Sequence, residues 1–243
     1  MKGLKKAMIL AAGYGTRLRP LTNNLPKPLI PVGGKPMIHY VLNCLKKNGI
    51  EEVVINLHYL GNMIREKLGD GKNWGLKIHY TEEKEILGTG GGIKNAEEFL
   101  KDETFLVINT DILVKIDLKE SINFHLTKGG IATLILRPHD TDKYNNITVD
   151  EDGKIIDIAG ALGTNISQYR NGTFTGIHII EPEIFNYLPP GKSSITECYI
   201  NLIKEGKNLF GFFTDVFWRD LGNMDDYLKV NEEINNSKIT FNF

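Results

Sequence analysis

One stretch constrains what this chain can fold into more than any other: Ile9-Leu10-Ala11-Ala12-Gly13-Tyr14-Gly15-Thr16-Arg17-Leu18-Arg19-Pro20, with Pro26-Lys27-Pro28-Leu29 close behind. The apolar run from Ala7 to Ala12 predicts a buried parallel strand that empties into a loop holding two glycines, a hydroxyl and two arginines. Gly13 and Gly15 permit positive φ and close approach of backbone N–H groups to a ligand, while Arg17 and Lys27 add fixed positive charge. Pro26 and Pro28 fix φ on both sides of Lys27, so its ammonium is presented from a stiff segment. Such a loop suits a polyanion, and a phosphate chain is the expected guest. A G-x-G after a strand also opens dinucleotide folds and serves elsewhere as a plain tight turn. Here Leu18 replaces the third glycine of the dinucleotide fingerprint, and no Gly-Lys-Ser/Thr ending of a P-loop follows.

With 243 residues the chain can bury a substantial core, and one domain over residues 1–243 is expected. Hydrophobic residues make up 41% and charged residues 24%, a globular balance that leaves no room for a long disordered tail. A formal net charge of −1 points to neither nucleic acid nor an anionic membrane, so phosphate binding has to be local. Cys44 and Cys198 make no disulfide framework and no C-x-x-C pair, and both read as core thiols. Lys2, Lys5 and Lys6 ahead of the apolar run imitate a signal peptide, but the run stops at Gly13 and arginines follow, so it reads as the first strand of a cytoplasmic protein. No apolar stretch reaches the roughly 18 to 20 residues of a spanning helix.

Beyond the loop, strand and helix patterns alternate. Helices are predicted over 36–47, 60–68, 90–100 and 118–127, and strands over 52–57, 76–80, 105–109 and 131–136. From Tyr144 the rhythm changes to strand, Asp150-Glu151-Asp152-Gly153 turn, strand, and antiparallel strands around Thr173 to Ile180 are expected to build a small lobe. Helix 195–204, strand 209–213 and helix 224–235 follow. The fold class is α/β, a mostly parallel mixed sheet with helices on both faces, in which ligands gather at the carboxyl ends of strands. No internal repeat and no hexapeptide β-helix is present, so no acyltransferase or regulatory C-terminal domain is expected.

Phe105-Leu106-Val107-Ile108-Asn109-Thr110-Asp111 delivers a carboxylate at the end of an apolar strand, although a helix cap is the plainer role for a lone aspartate there. Asp220, in Trp218-Arg219-Asp220-Leu221-Gly222, is a second carboxylate, with Asp215, Asp225 and Asp226 as rivals. Gly88-Thr89-Gly90-Gly91-Gly92 stands ahead of a helix; each glycine would weaken a strand or helix interior by roughly 0.5 to 1 kcal/mol, so something requires close backbone approach. The six histidines, His39 and His58 among them, show no metal-ligand spacing.

Taken together, these motifs resemble the signature of nucleotidyltransferases that join a nucleoside triphosphate to a sugar 1-phosphate and release pyrophosphate. The resemblance extends over nearly the whole chain through Leu60-Gly61, Leu68-Gly69-Asp70-Gly71, Phe174-Thr175-Gly176-Ile177 and Trp218 to Gly222. Within the family the chain is most similar to short N-acetylmuramate-1-phosphate uridylyltransferase-like and mannose-1-phosphate guanylyltransferase-like enzymes. It implies a Rossmann-like fold with a nucleotide-binding part over about 1–130 and a sugar-binding part over about 131–243. Leu10, Ala11, Ala12, Gly13, Gly15, Thr16 and Arg17 would surround the nucleotide, and Gly88, Thr89 and Gly90 would lie against its base. Glu82 would accept from base or ribose, or remain a solvated charge. Arg17 and Lys27 become catalytic, and Asp111 and Asp220 hold Mg²⁺. Asn109, Thr175, Gly176 and Glu197 line the acceptor pocket, a β-bulge and a helix-start carboxylate being the plainer readings of Thr175-Gly176 and Glu197.

The implied reaction is one in-line displacement at the α-phosphorus with no Ser, Cys or His nucleophile. The Glu-Lys-Pro of many hexose-1-phosphate enzymes is replaced by Asp157-Ile158-Ala159-Gly160, which argues against glucose 1-phosphate. Ala11-Ala12-Gly13 looks more like uridylyl- and cytidylyltransferases, so UTP is expected first. The implied partners are a nucleoside triphosphate and a sugar 1-phosphate, without nucleic acid or membrane, for a monomer or small homo-oligomer whose product serves the cell envelope. Two competing readings are a phosphocholine cytidylyltransferase, whose aromatic cage would draw on the scattered Tyr169, Phe174 and Trp218, and a non-catalytic nucleotide-binding protein. The latter would not need Arg17, Lys27, Asp111 and Asp220 together.

Overall fold

A computed structural model describes residues 4–138, 146–164 and 168–241, so Lys2 and the change of rhythm at Tyr144 lie outside the described residues. The chain opens with β1 (Lys6–Leu10), three short 3-10 turns, and the hairpin of β2 (Pro31–Val32) and β3 (Lys35–Pro36). Helix α1 (Met37–Lys47) buries Ile38, Val41, Leu42 and Leu45 at helical spacing and stops at Asn48 before Gly49, whose φ is 78°. Next come β4 (Glu52–Leu57), α2 (Gly61–Leu68), β5 (Lys77–Glu82), α3 (Gly88–Asn95), the single turn α4 (Glu97–Leu100), β6 (Phe105–Asn109) and β7 (Ile112–Val114). Helix α5 (Lys119–Lys128) leads to β8 (Ala132–Pro138), β9 (Asn146–Val149), β10 (Ile155–Ile158) and the long β11 (Arg170–Ile180). Then α6 (Ile195–Lys204), β12 (Leu209–Phe213), β13 (Trp218–Asp220) and α7 (Met224–Asn235) follow.

Among the described residues nine strands form one sheet with the path β10-β9-β11-β6-β1-β4-β5, to which β8 joins beside β11 and β12 beside β8. Pairings β6–β1, β1–β4, β4–β5 and β8–β12 are parallel, whereas β11 runs antiparallel to β6, β8 and β9, and β9 to β10. The sheet is therefore mixed, as expected, its parallel part formed by β6, β1, β4 and β5 with β8–β12. The expected antiparallel strands build onto the main sheet, because β11 is long enough to pair with β6 at one end and β9 at the other.

Alternation along the inner strands fills two faces. Ala7, Ile9, Val53, Ile55, Leu106 and Ile108 pack with α1 and α2, while Met8, Val54, Phe105 and Val107 pack with Ile195, Tyr199 and Leu202 of α6. A third apolar cluster matters most to the site. Leu18 and Ile30 from the glycine loop, Leu113 of β7, Leu221 and Val230 of α7 bury one another beneath that loop. Burial there explains why leucine, not glycine, stands at position 18. Among the described residues no helix is long and apolar enough to cross a membrane.

Asn48 ties α1 to the segment before α5: its Oδ1 accepts from Leu118 N at 2.7 Å, and its Nδ2 donates to Ile116 O at 3.0 Å and Cys44 O at 2.9 Å. Asn48→Ala leaves these groups unpaired and is expected to lower stability by about 1–3 kcal/mol, read by urea denaturation.

Candidate active site

At the carboxyl ends of β1, β4 and β6 lies a cleft of about 350 Å³, where Leu10 and Ala11, Asn56, and Asn109 form the floor. Ala12, Gly13, Gly15, Thr16, Arg17 and Lys27 stand on one side, Glu83, Gly88 and Thr89 on another, and Asp111 and Gly222 are among the other residues that line it.

Gly15 takes the left-handed conformation (φ 64°, ψ 29°) that starts the 3-10 turn Thr16–Leu18, and a Cβ there would stand 2.8 Å from Thr22 Cγ2. Thr22 in turn donates to the Gly15 carbonyl at 2.9 Å. The positive φ expected at both glycines belongs to Gly15 and not to Gly13, where a Cβ would meet no protein atom within 4 Å. Lys27 begins the 3-10 turn Lys27–Leu29, with Pro26 extended before it and Pro28 buried after it. Its Nζ reaches Asp111 Oδ2 at 2.5 Å, with 12% of the lysine side chain and 21% of the aspartate side chain exposed.

Asp111 caps no helix, since α5 begins only at Lys119; it turns the chain from β6 into β7. The antiparallel pair β7–β13, too short for a periodic signal, brings the second carboxylate alongside. Leu221 N donates to Asp111 O at 2.7 Å, and Asp220 Oδ1 accepts from Gly222 N at 2.7 Å. A Cβ on Gly222 would lie 2.9 Å from Asp220 Oδ1 and 3.2 Å from Arg17 Nη2, so Arg17 and Asp220 share one corner. Of the rivals, Asp215 and Asp225 are exposed, and Asp226 is bound to Asn223 at the start of α7. Among the described residues no group of three or more His, Cys, Asp or Glu side chains could hold a metal alone.

Other expected site residues are placed elsewhere. Glu82 is exposed and pairs with Arg65 at 2.6 Å, whereas its neighbour Glu83 is buried and lines the cleft. Thr175 is buried with Oγ1 donating to Ile135 O at 2.8 Å, and its carbonyl accepts from Trp218 Nε1 at 2.8 Å, so its hydroxyl faces the protein. Gly176, φ 82°, sits where the β11–β8 register shifts, and a Cβ there would come within 2.8 Å of Asn109 Nδ2. Glu197 is exposed in the first turn of α6, its N–H donating to Ser194 Oγ at 3.4 Å. Phe174 lies edge-on to His178, Trp218 is buried, and Tyr169 lines a different groove, so the three make no cage.

The glycines expected ahead of a helix lie inside α3, which ends at Ala96. Gly88 and Thr89 line the cleft, but Gly90 and Gly91 pack on the 191–195 segment: both donate to Ser193 O, and a Cβ on Gly91 would stand 2.2 Å from Gly191 O. Close approach of that segment outweighs the low helix propensity. His39 leans on Trp74, with ring centroids 4.3 Å apart, and burial pushes its pKa down to about 4. His58 contacts the Glu83 carbonyl through Nδ1 at 2.7 Å. Cys44 and Cys198 are buried, and burial pushes both thiols up to about 11.

A mixed α/β sheet with a glycine-rich, cation-bearing loop after its first strand, and carboxylates facing that loop, places the protein among the Rossmann-like α/β folds. More narrowly, the chain belongs to the nucleotidyl transferase family, whose model matches residues 6–237. It is 34% identical to a UTP–glucose-1-phosphate uridylyltransferase of Synechocystis sp., over 96% of this chain and 66% of that protein. It is 30% identical to a mannose-1-phosphate guanylyltransferase of Mycobacterium tuberculosis, over 94% of this chain and 64% of that one. The chain thus spans just under two thirds of the length of these relatives. Among solved structures, a Bacillus anthracis protein assigned as a glucose-1-phosphate thymidylyltransferase, in complex with sucrose, matches with a TM-score of 0.82 at 25% identity over 98% of both chains.

Because the Thr175 hydroxyl is bonded within the sheet, Thr175→Val is expected to lower stability by about 1 kcal/mol while leaving the KM for an acceptor unchanged, as measured by denaturation and steady-state kinetics.

Proposed function

We propose that this protein transfers a nucleotidyl group from a nucleoside triphosphate to a sugar 1-phosphate, releasing pyrophosphate. One observation carries the reading: a single cleft gathers Gly13, Gly15, Arg17 and Lys27 from the loop with Asp111 from the end of β6. Gly13 adds to it, because the loop's own packing gives no reason for glycine there, whereas a phosphate group lying on the backbone does.

A phosphate oxygen of the sugar 1-phosphate attacks the α-phosphorus, a new P–O bond forms, and the bond to the β-phosphate breaks with its electron pair leaving on pyrophosphate. Mutual repulsion of the phosphates is the obstacle. Arg17, Lys27 and the loop N–H groups supply positive potential where they meet, and the rigid Pro-Lys-Pro segment keeps Lys27 in place without reorganisation. Asp111 and Asp220 suit Mg²⁺ in company with phosphate oxygens, since that ion is commonly held by one or two carboxylates plus substrate phosphates. The Lys27 ammonium already resting on Asp111 supports this, as the corner accommodates positive charge beside the carboxylate. When bound, the ion would neutralise charge on the triphosphate.

Apart from Gly222, the cleft lining falls between Leu10 and Asp111, which supports a nucleotide-binding part over about 1–130 and an acceptor-binding part over about 131–243. The relatives include both uridylyl- and guanylyltransferases, so UTP and GTP are the bases to compare. The substrates fit a cytoplasmic enzyme supplying activated sugars to the cell envelope.

Purified protein is to be incubated with Mg²⁺, each of ATP, CTP, GTP, UTP and dTTP, and a panel of sugar 1-phosphates with phosphocholine alongside. Pyrophosphate is expected only with a sugar 1-phosphate. Release with CTP and phosphocholine would select the cytidylyltransferase reading, and nucleotide binding without release would select a sensor. Lys27→Met is expected to remain folded and lose turnover by about 100-fold or more.

Metal use tests the two aspartates. Asp111→Asn and Asp220→Asn should each remove most activity and raise the Mg²⁺ concentration required, and the double variant should be little worse than the poorer single. Near-additive losses with an unchanged Mg²⁺ requirement would give Asp220 a structural role.

A further inference from the structure

Two buried side chains that the proposed chemistry does not use join the two walls of the cleft. Asn56, 2% exposed, stands at the end of β4, and Glu83, 5% exposed, follows β5. Asn56 Oδ1 accepts from Ala11 N at 2.8 Å, beyond the last rung of the β1–β4 ladder, and Asn56 Nδ2 donates to Glu83 Oε1 at 2.6 Å. Glu83 Oε2 accepts from Leu87 N at 2.8 Å, just ahead of α3. A Cβ on Gly92 would lie 2.8 Å from Asn56 Nδ2 and 3.0 Å from Glu83 Oε1, so α3 rests directly on the pair. The Glu83 backbone is fixed as well, its N–H donating to Leu57 O and its carbonyl meeting His58 Nδ1.

We propose that Asn56 and Glu83 form a brace that sets the spacing between the Ala11–Ala12 wall and the Gly88–Thr89 wall, and that nucleotide affinity depends on it. The proposal rests on the nucleotide lying between those walls. Each bond in the brace has a fixed direction. Ala11 and Leu87 can only donate, so Asn56 must accept at one atom and donate at the other, and Glu83 must accept at both. A buried carboxylate held by neutral donors is costly to leave unpaired, which keeps the chain of bonds intact only when every member is present.

This directionality gives a test that separates positioning from bulk stability. Asn56→Asp sets two carboxylates against each other, and Glu83→Gln sets a donor against a donor. The double change N56D/E83Q restores the chain: the carboxylate introduced on β4 would accept from Ala11 and from the amide introduced after β5, and that amide's oxygen would accept from Leu87. Binding of UTP and of GTP is measured by calorimetry, which needs no turnover, and KM values are taken for the better nucleotide and for a sugar 1-phosphate. Each single variant is expected to weaken nucleotide binding by about tenfold or more while the KM for the sugar 1-phosphate changes by less than about twofold. The double variant should bind within about threefold of wild type. Equal loss of both affinities, unchanged nucleotide binding in the singles, or a double variant no better than the worse single would overturn the brace.

Where a single variant does not fold, Gly92→Ala decides, since it wedges a methyl group against the pair while favouring the helix. Weaker nucleotide binding at an unchanged melting temperature supports the brace, and wild-type binding overturns it. Wild-type protein that binds nucleotide but releases no pyrophosphate refutes the transferase reading and leaves the brace judged by binding alone. Wild-type protein that binds neither UTP nor GTP refutes both.

Discussion

Three parallel strands that end at the same level make the cleft. Leu10 lies in register with Asn56 on one side and Asn109 on the other, so β1, β4 and β6 end within a residue of one another. Backbone groups at such an edge still need partners. Side chains complete the ladder: Thr110 Oγ1 donates to Leu10 O at 3.0 Å, and Asn56 Oδ1 takes Ala11 N. With the edge satisfied from within, the following residues are free to leave the sheet as the glycine loop and the Asp111 turn.

A protein of net charge −1 can hold a polyanion only by concentrating cations, and the fold does so by topology rather than composition. Arg17 and Lys27 lie ten residues apart on one loop, and the carboxylates that balance them come from β6 and β13, more than 80 residues further on. The Lys27–Asp111 pair is largely shielded from solvent, so each partner holds the other in place at the mouth of the loop.

Much of the sheet was legible because its strands are short apolar runs between clear turn signals. The bounds 52–57, 105–109, 195–204, 209–213 and 224–235 match β4, β6, α6, β12 and α7. The glycine loop was legible for another reason: glycine and proline act through their own backbone, whatever surrounds them. Glu83 was not, because consecutive glutamates at 82 and 83 point to opposite sides after β5, and only packing decides which is buried. Asn56 reads as one more residue in an apolar strand, and its function exists only through partners distant in sequence. The helix carrying Gly88 to Gly92 defied propensity because the 191–195 segment crowds Gly88, Gly90 and Gly91, and Asn56 and Glu83 crowd Gly92. Thr175 carries a group that a pocket would welcome, but a hydrogen bond across the sheet to Ile135 O claims its hydroxyl.

The apolar cluster beneath the glycine loop joins Leu18 and Ile30 to Leu221 and Val230, and two hydrogen bonds reinforce the link, Gly33 N to Asn231 Oδ1 at 2.8 Å and Tyr227 Oη to Pro31 O at 2.9 Å. These contacts span about two hundred residues of sequence, among the longest in the molecule. As the chain leaves the ribosome, the strands that flank the loop can pair long before α7 has been made, yet the cluster beneath the loop, begun by Met37, Tyr40 and Leu113, is closed only when Leu221 and Val230 arrive. The glycine loop is made early and locked late, so a nascent chain holds much of its sheet before that loop is fixed in place.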